Sequence, residues 1–497
     1  MNAAADATLR LIPYSFAKAH GALLLEVTGD EARVCLREGT APRTLAELRR
    51  VLGLPVRVAA IEPAESFERR LADAYAQASQ SAAYVADNLG QDMDLSRLVR
   101  EMPKVEDLLE SEDDAPIIRM INVLLTQALR QGASDIHIEP YDKRSVVRLR
   151  VDGTLQTVAE PHRALHAAIL SRIKVMANLD IAEKRLPQDG RISLRLAGRQ
   201  VDVRVATLPT GFGERAVLRL LDKEGGRLEL QGLGMDPSTL VAVDALVHQP
   251  HGIVLVTGPT GSGKTTTLYA ALSRIDSLGL NIMTVEDPIE YELEGVSQTH
   301  VNSRIGMTFA RALRSILRHD PDVIMIGEIR DLETAQIAVQ ASLTGHLVLA
   351  TLHTNDAVSA VTRLNDMGVE SYLLASSLRG VLAQRLVRKL CPACKVAREP
   401  DEAECEELGV RRGEQTVYGP AGCAACHGTG YVGRTGIYEL LNIDDAARRF
   451  IHTAGAEHEL RAHAVAVGMR ALRQDGLRWV RAGITSLEEV IRVTREA

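Results

Sequence analysis

A multidomain α/β fold is predicted by three features of the sequence. The chain has 497 residues, which is too long for one ordinary hydrophobic core and indicates about three to four domains. From about residue 235 onward, apolar strands alternate with helices, as expected of a parallel sheet with crossover helices. A glycine-rich loop at residues 258–265 directly follows one of these strands and precedes a helix. We therefore expect an α/β core preceded by smaller units.

Composition excludes several classes of protein. The net charge is −7 and aromatic residues make up 3% of the chain, so neither a global positive field nor a base-stacking surface is available for nucleic acid. The N-terminus lacks a basic segment followed by an apolar one, and no apolar run reaches the roughly 18 residues of a spanning helix. These features predict a cytoplasmic protein without a nucleic-acid partner.

The N-terminal part is expected to be a small separate domain, residues 1–100, followed by an acidic linker at 101–114. Seven acidic residues fall between Glu101 and Asp114, which is typical of a solvated segment. Apolar patterns in the domain predict two strands and two helices. The strands are expected around Leu23–Leu25 and Ala32–Leu36, and the helices at Thr44–Leu52 and Ser66–Gln80.

A second domain is predicted at residues 115–221, and a hinge at 222–234. An apolar stripe with helical spacing runs from Ile117 to Leu129, and a second helix pattern covers Leu165–Asn178. Apolar residues that alternate with polar ones predict strands near Val147–Val151, Ile192–Leu196 and Val201–Val205. The residues after Leu221 are charged and rich in glycine, which favours a hinge.

The third part of the chain is divided into a core at residues 235–390, a cysteine-bearing insertion at 391–434 and a helical region at 435–497. Four apolar segments in the core are predicted as buried strands. They are Ile253–Thr257, Asn281–Glu286, Asp322–Ile326 and Leu347–Leu352.

The loop after the first core strand fits the phosphate-binding pattern G-x-x-x-x-G-K-T without gaps. Glycines let the backbone amides turn toward phosphates, Lys264 supplies a positive charge to the terminal phosphates, and the Thr265 hydroxyl can bind Mg²⁺. The flanking strand and helix argue against a chance match. The predicted nucleotide-binding residues are Gly258, Pro259, Thr260, Gly261, Ser262, Gly263, Lys264, Thr265 and Thr266.

Acidic residues at the ends of two core strands are candidates for hydrolysis. Glu328 follows the strand at 322–326 and is expected near Mg²⁺, because ligands bind at the carboxyl ends of parallel strands. Glu286 ends the strand at 281–286, Asp287 and Glu290 follow it, and all three are candidates for activating water. The alternative is that some of these acids are helix caps or turn residues.

A histidine box surrounds the fourth core strand. His353 closes that strand and could sense the terminal phosphate, whereas a lone histidine is more often structural. Both interpretations stay open at the level of the sequence.

Two C-x-x-C pairs predict a structural zinc site, because four thiolates provide the tetrahedral, closed geometry that Zn²⁺ takes in such sites. A spacer of 28 residues separates the pairs, which is longer than in common zinc ribbons. A redox dithiol is the alternative, and His427 is a second candidate ligand. The predicted zinc ligands are Cys391, Cys394, Cys423 and Cys426.

Four motifs in order resemble the secretion and type IV pilus ATPase superfamily. They are the phosphate-binding (Walker A) loop, TVEDPIEY at 284–291, MIGEIRD at 325–331 and TGHLVLATLHTND at 344–356. The second domain, with ASDIHIEP at 133–140 and LPQDGR at 186–191, is similar to the PAS-like domain that precedes these motors. The resemblance implies a RecA-like core that binds ATP and Mg²⁺ and hydrolyses ATP.

The resemblance also implies a homo-hexamer in which arginines reach the phosphates of ATP. Arg204 and Arg219 of the PAS-like domain, with Arg314 and Arg318 before the second acidic motif, match the family positions. Without the resemblance, Arg204 and Arg219 would be assigned to the solvated face of two strands.

Within the superfamily, the cysteine pairs and the short first domain are similar to the E components of type II secretion systems. Their first domain docks on the cytoplasmic domain of an inner-membrane L component, and the motor also works with an inner-membrane platform protein. The resemblance thus implies an ATPase associated peripherally with the inner membrane that powers pseudopilus assembly and protein export. A pilus extension ATPase, a nucleic-acid translocase and a scaffold with a dead site are the alternatives.

Overall fold

The protein is described here from a computed structural model that covers residues 17, 20–28, 31–64, 66–67, 70–71, 115–196, 199–222, 229–302 and 305–495. It divides into two compact units, Met1–Asp222 and Lys223–Ala497. The predicted acidic linker at 101–114, most of the predicted helix at 66–80 and residues 223–228 of the predicted hinge lie outside the described residues. The domain boundaries and the hinge therefore stay predictions.

The first unit contains a three-stranded sheet near its N-terminus. Strands β1 (Ala22–Thr28) and β2 (Glu31–Arg37) pair antiparallel, and β3 (Val56–Glu62) joins β2 in parallel. Helix α1 (Arg43–Leu52) makes the crossover that this parallel pair requires, and it ends at Gly53, whose φ of 64° is left-handed.

The same unit contains a six-stranded antiparallel sheet in the order β6-β5-β4-β9-β8-β7. Apolar residues on one face of this sheet pack against two helices, and polar residues line the other face, as period-two alternation requires. The strands are β4 (Ala133–Pro140), β5 (Ser145–Val151), β6 (Thr154–Ala159), β7 (Gln188–Leu196), β8 (Arg199–Thr210) and β9 (Gly213–Asp222), and the helices are α2 (Ala115–Arg130) and α3 (His166–Met176).

A seven-stranded sheet organises the second unit, in the order β12-β11-β13-β14-β10-β15-β18. Six of its strands are parallel, and β18 pairs antiparallel with β15 at one edge. The strands are β10 (Gly252–Thr257), β11 (Ile282–Glu286), β12 (Val296–His300), β13 (Val323–Ile326), β14 (Leu347–Leu352), β15 (Leu378–Leu390) and β18 (Tyr431–Asn442).

Helices cover both faces of this sheet. Odd-numbered residues of β10 such as Leu255 belong to one apolar cluster and even-numbered ones such as Val254 to the other, so the strand is buried on both sides. The helices up to β15 are α4 (Pro237–Val247), α5 (Lys264–Leu272), α6 (Phe309–Ile316), α7 (Leu332–Leu343), α8 (Ser359–Asp366) and α9 (Ser371–Ser377).

The C-terminal part differs from the expectation of a helical region at 435–497. Residues 435–442 are the greater part of strand β18, because their apolar side chains fill the sheet edge beside β15. The cysteine-bearing segment connects these two paired strands and contains β16 (Val396–Arg398), β17 (Val417–Gly419) and α10 (Glu402–Leu408). The helices that follow β18 are α11 (Asp445–His452), α12 (Glu457–Ala466), α13 (Leu472–Arg481) and α14 (Leu487–Thr494).

Candidate active site

The phosphate-binding loop connects the carboxyl end of β10 to the first residue of α5. Three of its glycines have positive φ, 149° at Gly258, 79° at Gly261 and 87° at Gly263. A side chain at Gly258 is excluded, because a Cβ there would lie 2.4 Å from the backbone oxygen of Gln384. The loop conformation thus depends on glycine, as expected of a backbone that turns its amides inward.

Lys264 starts α5 and folds back over the loop. Its Nζ donates to the carbonyl oxygens of Gly258 at 2.8 Å and Pro259 at 3.1 Å. Burial lowers the pKa of Lys264, and the nearby carboxylate of Glu328 partly opposes that shift. Thr265 and Thr266 follow in the first turn of the helix, where backbone N–H groups have no helical partner and favour an anion.

Glu328 and His353 lie just beyond the ends of the adjacent strands β13 and β14. The Nε2 atom of His353 is 2.6 Å from Glu328 Oε1, and its Nδ1 atom is 3.5 Å from Lys264 Nζ. The second carboxylate oxygen of Glu328 accepts from Arg330 Nε at 2.7 Å. The fold therefore brings the predicted acid, histidine and lysine together at one edge of the sheet.

Glu286, at the end of β11, lies in a different environment. The residue is 2% exposed, and its carboxylate accepts hydrogen bonds from the hydroxyls of Tyr269 and Thr284 and from the Gln298 amide. A carboxylate has about four lone-pair sites, so three donors leave little capacity for a water molecule. This geometry favours a supporting role for Glu286 over activation of water.

The other two acids of this motif are more accessible. Asp287 is exposed and Glu290 is partly exposed. The backbone N–H of Glu290 donates to the Tyr269 hydroxyl at 3.3 Å, so the Tyr269–Glu286 pair also positions this segment. Burial and the hydrogen bond to Glu286 raise the pKa of Tyr269, which keeps the hydroxyl protonated as a donor.

Gln384, on β15, supports the loop and was not found from the sequence. Its Nε2 donates to the carbonyl oxygen of Ser262 at 2.7 Å, and its Oε1 accepts from the Thr267 hydroxyl at 2.8 Å. The residue is 1% exposed. A buried polar residue inside an apolar strand was the available signal, but its partners lie about 120 positions away in the chain.

Arg314 and Arg318 are exposed and lie in and just after α6. Arg314 forms an ion pair with Glu333, and Arg318 donates to the carbonyl oxygen of Arg314 at 2.8 Å. Among the residues that the structure describes, neither has a hydrogen bond or ion pair with the phosphate-binding loop.

Arg204 and Arg219 belong to the first unit, where they are direct cross-strand partners on β8 and β9. They lie on the polar face of the six-stranded sheet, and Arg191 on β7 is the next residue in the same row. Arg219 Nε donates to Asp135 Oδ1 at 2.8 Å, while 58% of its side chain stays exposed. Asp135 thus fixes the orientation of an accessible guanidinium.

The four cysteines of the two C-x-x-C pairs form one cluster. Their Sγ atoms all lie within 4.8 Å of one another, and three of the separations are 3.9, 3.8 and 3.7 Å. Four sulfurs at about 2.3 Å from a central Zn²⁺ would be about 3.8 Å apart in a tetrahedron. Backbone N–H groups of Cys423 and Gly430 each donate to Cys426 Sγ at 3.1 Å, which suits a thiolate.

No helix in the described ranges combines the length and the apolar character that a membrane crossing requires.

Comparisons with known proteins agree with this arrangement. Residues 110–492 match the Type II/IV secretion system protein family, and residues 11–75 match an N-terminal domain family of GSPII protein E. The chain is 59% identical to the type II secretion system protein HxcR of Pseudomonas aeruginosa, over 98% of this chain and 100% of that protein. It is 53% identical to the type II secretion system ATPase E of Vibrio cholerae, over 99% and 98% of the two chains.

A solved structure supports the same assignment. The crystal structure of the pilus retraction motor PilT with bound ADP covers 75% of this chain and 96% of its own, at 27% identity and a TM-score of 0.51. The predictions of an α/β ATPase fold and of the superfamily are confirmed. The chain is a P-loop ATPase that belongs to the Type II/IV secretion system protein family.

Proposed function

We propose that this protein is a homo-hexameric motor that hydrolyses ATP at the cytoplasmic face of the inner membrane to power pseudopilus assembly and protein export by a type II secretion system. The observation that carries the proposal is the convergence of Lys264, Glu328 and His353 at the carboxyl edge of the sheet. Relatives named for type II secretion align with the chain over nearly their full length, which supports secretion as the process driven.

Loop residues 258–266 bind the phosphates of ATP in this proposal. The fit is supported by the buried hydroxyl of Ser262, whose Oγ lacks a hydrogen-bond partner in the described structure, and by the free N–H groups in the first turn of α5. The ammonium of Lys264 leaves the carbonyls of Gly258 and Pro259 and neutralises the terminal phosphates. Burial makes this exchange favourable, because an ammonium in a desolvated site gains more from a phosphate anion than from neutral carbonyls.

Thr265 and Glu328 would hold Mg²⁺, which supplies positive charge to the β- and γ-phosphates when it is bound. Their oxygen atoms are the donor type that Mg²⁺ prefers. His353 orients the Glu328 carboxylate through the 2.6 Å contact and would sense the terminal phosphate. Glu290 is the candidate that activates water, with Glu286 as its buried support.

Arginines on the first unit are proposed to complete the site. Arg204 and Arg219 would neutralise charge that develops on the phosphates during hydrolysis. The pairing of Arg219 with Asp135 through Nε leaves its terminal N–H groups available. Arg314 and Arg318 are proposed to contribute further positive charge, after Arg314 exchanges its surface ion pair with Glu333.

The four clustered cysteines are proposed to hold one structural Zn²⁺. Their separations match the edges of a tetrahedron of thiolates, and all four positions are filled by protein ligands. Such a site stabilises the segment between β15 and β18 and leaves no open position for chemistry. A redox dithiol would need only one of the two pairs.

The first domain is proposed to dock on the cytoplasmic domain of an L component, and the motor to act on an inner-membrane platform protein. The match of residues 11–75 to an N-terminal domain of GSPII protein E supports the first partner. A pilus extension motor remains the alternative within the same chemistry. No observation favours a nucleic-acid translocase, and we propose no nucleic-acid partner.

The test is complementation with the full-length chain. In a strain that lacks its own type II E component, the chain should restore export of a secreted enzyme to the medium, and Lys264→Ala should not. Restoration of surface pili in an extension-motor deletion, without restored export, would contradict the proposal and select the alternative.

A further inference from the structure

A basic pocket lies in the second unit, away from the phosphate-binding loop. It has a volume of about 320 Å³, within the range of small-ligand sites. Three elements form it: α9, the start of β15 and the last turns of α11. Its lining residues are Ala375, Ser376, Arg379, Arg448, Arg449 and His452.

The pocket lies at the opposite edge of the sheet from the ATP site. Leu378, beside Arg379, pairs with Ile253 at the start of β10, whereas Ala383 pairs with Thr257 just before the loop. Ile253 and Thr257 are four positions apart along β10, which corresponds to about 13 Å. One phosphate group therefore cannot contact both Arg379 and the loop.

Positive charge in the pocket is poorly compensated. Three guanidiniums and one imidazole line it, and none of the lining residues carries a carboxylate. Arg448 has an ion pair with Asp445 at 2.9 Å, but this pair is weak because 86% of the Asp445 side chain is exposed to solvent. Within the described residues, neither Arg379 nor Arg449 has an ion-pair partner.

Arg379 and Arg448 both line the pocket, and Arg379 Nε donates to the carbonyl oxygen of His251 at 3.3 Å. Burial lowers the pKa of Arg379, and the neighbouring charge of Arg448 lowers it further. Arg448 Nε is buried and has no hydrogen-bond partner among the described residues. An N–H group in this state costs free energy unless an acceptor binds it.

We propose that this pocket binds a phosphate group. Guanidiniums present paired N–H donors that match phosphate oxygens, and Arg379 and Arg448 approach from different elements. Buried Ala447 and Ile451 anchor α11 against the core, so the helix that carries Arg448 need not be ordered when the anion binds. The occupant is a phosphate-bearing anion, free in solution or as a lipid headgroup, and binding is separate from the nucleotide site.

The test uses the full-length chain with Lys264→Ala, which silences the nucleotide site. Calorimetry with pyrophosphate should detect binding that the double variant Arg379→Gln/Arg448→Gln weakens at least tenfold. The matched control is Arg411→Gln/Arg412→Gln, which removes the same charge from two exposed positions outside the pocket and should leave the affinity unchanged.

Vesicle flotation distinguishes the two sources of phosphate. Pocket-dependent binding to vesicles of phosphatidylglycerol, without binding of pyrophosphate, would identify a headgroup. The single variant Arg449→Gln provides a second test at an exposed position, and thermal unfolding verifies that each variant is folded. Equal affinities of the pocket and control variants for both probes would overturn the proposal.

Discussion

His353 bridges two parts of the candidate active site, with its Nε2 atom 2.6 Å from Glu328 Oε1. The other ring nitrogen faces Lys264 Nζ at 3.5 Å. Because β14 lies between β13 and β10 in the sheet, a residue at its carboxyl end can reach both neighbours. The imidazole therefore couples the position of the strand-end acid to the lysine that binds phosphate.

Glu328→Gln is expected to retain ATP binding and to slow hydrolysis by about 10²–10⁴-fold, the usual range when a positioned proton-transfer or charge-stabilising group is lost. The amide keeps the size of the side chain but removes the charge that holds Mg²⁺. Phosphate release and the affinity for a fluorescent ATP analogue would be measured on the same preparation. Glu294→Gln, at an exposed position, is the control, and near-normal turnover of Glu328→Gln would contradict its role.

Lys264→Ala is expected to abolish turnover while the fold is retained. Hydrogen bonds to charged groups contribute about 1.5–3 kcal/mol each, so ATP affinity should fall by at least about tenfold. The side chain bonds to two carbonyl oxygens of its own loop and makes one long contact of 3.5 Å with His353 Nδ1, and thermal unfolding should therefore change little. Phosphate release at the wild-type rate would refute the assignment.

The parts of the site that the sequence predicts are those encoded by local patterns. The phosphate-binding loop, Glu328 and His353 each follow an apolar strand directly, so the strand pattern alone places them at one edge of a parallel sheet. The pattern could not reveal that Glu286 is saturated with hydrogen bonds, because its donors Tyr269 and Gln298 come from separate elements.

Long-range pairing explains the remaining differences. The long cysteine-bearing segment separates β15 from β18, and no local signal shows that residues 435–442 return to pair antiparallel with β15. The support of the loop by Gln384 likewise depends on β15 lying beside β10, which only the folded sheet determines. Arg330, which shares the carboxylate of Glu328, was missed because an arginine in a loop is by default assigned to solvent.

Elemental analysis of the purified protein is expected to give about one zinc per chain. Replacing Cys423 by Ser should reduce bound zinc and lower thermal stability, because metal-binding free energy stabilises the folded segment. Cys405→Ser is the matched control, since Cys405 is buried nearby but lies outside the cluster. A metal-free protein with full activity and unchanged stability would exclude the structural zinc site.

Arg219→Gln is expected to lower kcat by about 10³-fold or more, as removal of an arginine finger does, with a smaller effect on ATP affinity. Asp135→Asn should also lower kcat but less, because it removes only the group that orients Arg219. Arg144→Gln, an exposed arginine of the same unit, is the control. If Arg219→Gln weakens ATP binding and leaves kcat intact, the residue does not act on the transition state.

Gln384→Leu should weaken ATP binding through the loop, although Gln384 is not expected to touch the nucleotide. The change keeps the side-chain volume but removes the partners of the Ser262 carbonyl and the Thr267 hydroxyl. Each buried group left without a partner costs about 1–3 kcal/mol, and part of that cost falls on the conformation that binds phosphate. We therefore expect at least a tenfold rise in the Kd for ATP.

A purely structural role of Gln384 gives a different result. In that case Gln384→Leu would lower the unfolding temperature without changing the Kd of the folded protein. Gln340→Leu, at an exposed position on α7, controls for the added apolar surface. Gln384→Glu provides the sharper comparison, because its carboxylate can still accept from Thr267 but repels the Ser262 carbonyl and the incoming phosphates. A loss of affinity larger with Glu than with Leu would locate the effect at the loop, whereas equal Kd values for all three proteins would contradict a positioning role.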